Sequence, residues 1–110
     1  MPNVKIYVDQ SVHKERAKAL QDLLPRLREA VCEGLNAKPA ACQIVVIPVY
    51  GMPDQPLANL EVHYLGTPAR TTQIVRAACE TFRDLLVEVI GSPVAVRATP
   101  LIPETYVSVK

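Results

Sequence analysis

The sequence predicts a two-layer α+β domain in which two β-α-β units share one four-stranded mixed sheet, with both helices on one face. Three observations lead there. Asn3 to Val8 (NVKIYV) and Asn59 to Tyr64 (NLEVHY) both open on Asn and alternate apolar with polar or amphipathic residues. Strict alternation marks a half-buried strand. Each run is followed by apolar residues at helical spacing that end near a glycine, and then by a proline, Pro39 or Pro93, leading into a second apolar run.

The first strand presents Val4, Ile6 and Val8 to one face. In the first helix Ser11 is the expected N-cap, Leu20, Leu24, Leu27 and Val31 form the stripe, and Gly34 is the expected stop. Pro25 falls inside this span and should kink or divide it, because proline removes a backbone donor. The second strand, Ile44 to Val49 (IVVIPV), is nearly all apolar, as for a strand covered on both faces. Residues 51–58, with Pro53 and Pro56, form the linker.

The third strand mirrors the first, with Leu60, Val62 and Tyr64 inward. The second helix begins at Thr67-Pro68 or at Thr71, carries Val75, Ala78, Phe82, Leu85 and Val89, and ends at Gly91. Val94 to Ala98 supplies the fourth strand. The chain is thus one domain, 1–110, with pseudo-repeats 2–50 and 58–110. Crossovers of this kind are right-handed, and the halves should meet about a pseudo-twofold axis. The sheet face away from the helices carries Lys5, Tyr7, Glu61 and His63. Around Val45 and Ile47 it is too apolar for water, so it should pack on other subunits.

Composition narrows the function. Apolar residues make up 49% and charged residues 21% of the chain, which selects a globular protein over a disordered one. A net charge of +1 gives no electrostatic reason to expect nucleic acid or an acidic membrane. With no Trp and one Phe, base-stacking platforms are disfavoured as well. Cys32, Cys42 and Cys79 match no zinc or redox spacing and read as structural thiols. The absence of a signal-like segment and of a long apolar run leads us to expect a cytoplasmic protein. No metal-ligand cluster, phosphate loop or Ser-His-Asp arrangement stands out, so no cofactor or metal is expected.

The chemistry-bearing feature is Pro2, which follows Met1 and enters a strand at once. If Met1 is trimmed, the chain starts with a secondary amine. An α-amino group titrates at roughly 7.7–8.0, far below a lysine side chain, so it is a usable acid or base. If Met1 is retained, the Pro2 nitrogen is an amide and has no such role.

The Met-Pro start on the first strand, the doubled β-α-β order and the turn Leu35 to Pro39 (LNAKP) resemble the tautomerase superfamily. That group includes 4-oxalocrotonate tautomerase, 5-carboxymethyl-2-hydroxymuconate isomerase and macrophage migration inhibitory factor. The resemblance implies a homotrimer with sites between subunits and a small carboxylate substrate. It also implies proton transfer beside a carbonyl, with the N-terminal proline as general base on an unsaturated 2-oxo or 2-hydroxy acid. Short members carry an Arg just after the first strand, where this chain has Gln10 to Lys14, and another on the second strand, where Gln43 stands at the matching position. In the second half Arg97 takes the corresponding strand place, and Arg70 precedes the helix.

Burial and nearby guanidinium groups both lower an amine's pKa, which brings a basic proline toward working pH. The resemblance therefore implies Pro2 as the catalytic residue. Arg70 and Arg97 would grip the carboxylate and stabilise the enolate oxygen. Tyr106, in a C-terminal segment that crosses to a neighbour in this family, would donate to the ligand or simply pack. His13, Lys14, His63 and Tyr50 fit solvated or sheet-face positions better than catalytic ones. Two other readings stay open. One keeps the pocket for hydration, dehalogenation or decarboxylation, with Glu104 as an available carboxylate. The other is non-catalytic: a ferredoxin-like ligand-binding domain, which requires interleaved strands, or a structural trimer.

Overall fold

The computed structural model describes residues 1–110. The element order is β1 (Asn3–Asp9), α1 (Gln10–Leu35), a short 3-10 turn (Pro39–Ala41), β2 (Gln43–Val49), β3 (Ala58–Leu65), α2 (Thr72–Ile90) and β4 (Val94–Leu101). The sheet runs β2-β1-β3-β4. β1 is parallel to β2, β3 is parallel to β4, and the central β1–β3 pair is antiparallel. Each β-α-β unit keeps its own two strands adjacent, so the interleaved order required by the ferredoxin-like reading is absent.

The register has the expected pseudo-twofold symmetry: Asn3 pairs with His63, and Tyr7 pairs with Asn59. Residues 3, 5 and 7 of β1 therefore correspond to 59, 61 and 63 of β3. The ladder also corrects one correspondence. Lys5 pairs with Val45, whereas its counterpart Glu61 pairs with Arg97. Across the pseudo-axis Arg97 thus matches Val45, while Gln43 matches Ala95.

The core lies between the sheet and the helices. Val4, Ile6 and Val8 from β1, and Leu60, Val62 and Tyr64 from β3, face inward and are buried. On the helices the buried stripes are Val12, Leu20, Leu23, Leu27, Val31 and Leu35, and Val75, Ala78, Phe82, Leu86 and Ile90. These differ from the expected stripes at Leu24, Leu85 and Val89, which are only half-buried. Helical steps of three and four both continue an apolar row, and packing against the sheet selects which is central. β2 is an edge strand with a half-exposed pattern, so it is not covered on both faces within one protomer. Its exposed residues include Val45, 36% accessible, on the face expected to meet other subunits.

The helix ends show where local chemistry departs from the first reading. Asp9, not Ser11, is the N-cap of α1, and its carboxylate accepts from the Ser11 amide at 3.1 Å. Gly34 does not stop α1. The helix runs on to Leu35, and Asn36 takes the left-handed conformation at φ 51°. Gly34 is needed for a close helix crossing, because a Cβ there would lie 2.7 Å from the Ala78 Cβ. Pro25 sits inside α1 without dividing it. Both Pro25 and Gln21, whose carbonyl loses a donor, are exposed, which keeps the cost of the missing bond low. The irregular residue is Arg16, at φ −124° and ψ 21°; its guanidinium donates to the Val89 carbonyl at the end of α2 at 2.9 Å. A cation there also suits the negative end of the helix dipole. α2 starts at Thr71, whose hydroxyl accepts from the Ile74 amide, and stops at Gly91 at φ 75°, as expected.

Candidate functional site

Parallel pairing within each half brings the start of β1, the start of β2 and the ends of β3 and β4 to one end of the sheet. α1 terminates and α2 begins at this same end. Pro2 is buried there, on the helix side of the sheet by the alternation that turns Val4 and Ile6 inward. Its carbonyl accepts from the Gln43 amide at 3.0 Å, which fixes it to the β2 edge. The Met1 amine donates to the Ala41 carbonyl at 2.6 Å. With Met1 attached, the Pro2 nitrogen is an amide.

Extending the β1–β3 register by one residue sets Pro2 across from Tyr64. Tyr64 is buried, and burial pushes its phenol above the ordinary value; the neighbouring Cys79 adds to this and Arg70 opposes it. Arg70, half-buried in the turn between β3 and α2, donates through Nε to the Leu35 carbonyl at 2.8 Å and through Nη1 to the Leu65 carbonyl at 2.7 Å. One guanidinium therefore ties the C-terminus of α1 to the end of β3. Its Nη2 makes no hydrogen bond.

Tyr106 follows the end of β4 at this same sheet end. Its amide closes a turn onto the Ile102 carbonyl at 3.0 Å, and its side chain is half-buried. The chain beyond it is exposed, with Val107 79% and Val109 90% accessible.

Arg97 stands apart from these three. It lies on the open face of the sheet, exposed, and donates to Asn59 Oδ1 at 2.7 Å. It helps line a depression of about 320 Å³ with Gln55, Pro56, Asn59, Glu61 and Ala95. Strand geometry puts Arg97 two strands and three residues from Pro2, about 14 Å between backbones, and on the opposite face. Pro2, Arg70 and Tyr106 thus share one end of a protomer, and Arg97 does not join them within it.

The weaker candidates also fall into place. His63 is exposed on the open face, Tyr50 is 86% accessible, Lys14 and Glu104 are exposed, and His13 is half-buried at the start of α1. No group of His, Cys, Asp and Glu is arranged to hold a metal ion. No helix is long and apolar enough to cross a membrane. One depression of about 360 Å³ lies between the helices around Gly34 and Ala78, and another of about 460 Å³ runs along α1 near Pro25 and reaches Gln43, whose amide holds the Pro2 carbonyl. Sequence reading placed Tyr64 in the core, where it lies, and missed the carbonyl partners of Arg70.

Comparison with solved structures places this geometry in a known class: the chain has the tautomerase fold. It superposes on a fused 4-OT wild-type asymmetric trimer with a TM-score of 0.77 and 14% identity, over 96% of this chain and 91% of that one. A macrophage migration inhibitory factor-like protein from Entamoeba histolytica matches with a TM-score of 0.66 and 12% identity, over 97% and 94%. Pt0534, in a structure inactivated by 2-oxo-3-pentynoate, matches with a TM-score of 0.71 and 20% identity, over 94% and 89%. No family model matches the sequence. No curated protein matches it either.

Proposed function

We propose that this chain is a tautomerase or isomerase in which Pro2, freed by removal of Met1, is the general base acting on an unsaturated 2-oxo or 2-hydroxy carboxylic acid. The observation that carries the reading is the placement of Pro2 and Arg70 at one sheet end, with Tyr64 across the ladder. Burial and the guanidinium both favour the neutral amine, the form that accepts a proton. A proton taken from carbon beside the carbonyl leaves an enolate, whose charge is stabilised where it develops. Arg70 has Nη2 free for that oxygen or for the carboxylate. Arg97 lies on the face expected to meet other subunits, so in a homotrimer it would serve a neighbour's Pro2 and not its own. The neighbouring fused 4-OT structure is a trimer, which supports this assembly.

A non-catalytic carboxylate-binding trimer is the second reading. It is favoured by the two carbonyls that already occupy Nε and Nη1 of Arg70, which leave less of the guanidinium for chemistry. An assay of 2-hydroxymuconate or phenylpyruvate tautomerisation with wild type and Pro2→Ala separates the two. The proposal expects the variant to lose at least about 100-fold in kcat/KM, within the usual range for a general base. Equal rates, or no activity in either protein, favour the binding reading.

A further inference from the structure

The three thiols are free, and two of them are brought together by the fold. Cys32 is in the last turns of α1 and accepts, through its carbonyl, the Ala37 amide at 2.9 Å. The chain reverses at Asn36, passes through the 3-10 turn, and returns at Cys42, whose amide donates to the Pro39 carbonyl at 3.1 Å. Two adjoining depressions share Pro25 and Arg28 as a common wall; Cys42 lines one and Cys32 lines the other. Both residues are half-buried, so neither is closed off from a small solute. The Cys32 thiol also acts directly on Cys42. Burial, then the Cys32 thiol, pushes Cys42 up to about 11, while the chain's amine and Arg28 pull the other way. Cys79 is on α2, beside Tyr64 and Arg76, and belongs to neither depression.

We propose that Cys32 and Cys42 form a redox-active thiol pair that closes to an intramolecular disulfide on exposure to hydrogen peroxide. The step balances without any other reactant. The sulfur of Cys32 attacks one peroxide oxygen, the O–O bond breaks, and the proton from the thiol leaves with the departing oxygen as water. The sulfenic acid then meets Cys42 sulfur. The S–S bond forms, the S–O bond breaks, and the Cys42 proton leaves with that oxygen as a second water. Two thiols are oxidised by two electrons and one peroxide is reduced to two waters. Burial holds Cys42 in its thiol form, which assigns the first attack to Cys32. The disulfide would staple the end of α1 to the start of β2, the strand edge that holds the Pro2 carbonyl. This inference concerns the thiols alone and does not depend on the proposed catalysis.

The test is a peroxide treatment of the full chain, followed by denaturing alkylation with N-ethylmaleimide and digestion with a glutamyl endopeptidase. Cleavage after Glu33 separates the two cysteines, which trypsin cannot do because Lys38 precedes Pro39. The expected result is a monomer lighter by two hydrogens, one alkylated thiol at Cys79, and a reducible link between the Cys32 and Cys42 peptides. Cys79→Ser keeps that link, and Cys32→Ser loses it. Alkylation of both Cys32 and Cys42 after treatment, or a link that uses Cys79 or a second chain, overturns the proposal. Should Cys32→Ser fail to fold, the wild-type and Cys79→Ser maps decide the matter on their own.

Discussion

Replacing Arg70 by Met tests the most consequential single tie in the fold. The substitution keeps an apolar stem and removes the guanidinium that bridges the Leu35 and Leu65 carbonyls at 2.8 and 2.7 Å. A hydrogen bond to a charged donor contributes about 1.5–3 kcal/mol. Both bonds are part-buried, and the Leu35 carbonyl is a helix-end group that water can partly reclaim, so the two do not add in full. The expected loss is about 2–4 kcal/mol. For a domain this size that is a fall of roughly 10–20 °C in Tm. Urea unfolding at fixed protein concentration measures it as a lower midpoint with an unchanged slope. Arg70→Lys should fall in between, since an ammonium lacks the fork that spans two carbonyls. A loss below about 0.5 kcal/mol for Arg70→Met would refute the bridging role and return Arg70 to the pool of groups free to serve a ligand.

Three further outcomes are expected. Gly34→Ala gains about 1 kcal/mol in helix propensity but forces its Cβ to within 2.7 Å of Ala78, a strain of about 1–3 kcal/mol, so thermal unfolding should show net destabilisation. At pH 8 the native Cys42 thiol, pushed up to about 11, should react with iodoacetamide about 100-fold more slowly than in urea, and equal rates would contradict its burial. The Asp9 carboxyl is held below its ordinary value, first by the Ser11 hydroxyl and then by the Ser11 amide. Its capping contribution is therefore present above the ordinary carboxylate pKa of about 3.9 and is lost as pH falls through the lowered value. Acid unfolding of Asp9→Asn should lack that part of the pH dependence.

The architecture could be read from the chain because its determinants are periodic. Alternation in residues 3–8 and 59–64, and the stripes through Leu27 and Phe82, survive any detail of packing. What could not be read depends on proximity. Gly34 looked like a helix stop because sequence does not show Ala78 pressing against it. Asp9 outcompeted Ser11 as a cap because its carboxylate could accept from both the Ser11 amide and hydroxyl. The Val45–Arg97 equivalence emerged only from the register, since both second strands begin with different spacing from their prolines. At the site, Pro2 and Arg70 were legible as types near strand and helix ends, but the placement of Pro2 across from Tyr64 follows from the antiparallel β1–β3 register, and Arg70 reaches that end through the Leu65 carbonyl. The carbonyl partners of Arg70 left no trace in the sequence, because backbone oxygens are the same at every position.

The central claim is that a free proline nitrogen meets ligand at this sheet end, and covalent trapping tests it most directly. The purified protein should be incubated with 2-oxo-3-pentynoate, an activated alkyne that captures a neutral amine, and its intact mass and N-terminal peptide measured. The account predicts a chain lacking Met1 and carrying one adduct on the nitrogen of Pro2, with tautomerase activity lost in proportion. A chain that keeps Met1, or one whose only adduct sits on a lysine or a cysteine, would contradict it.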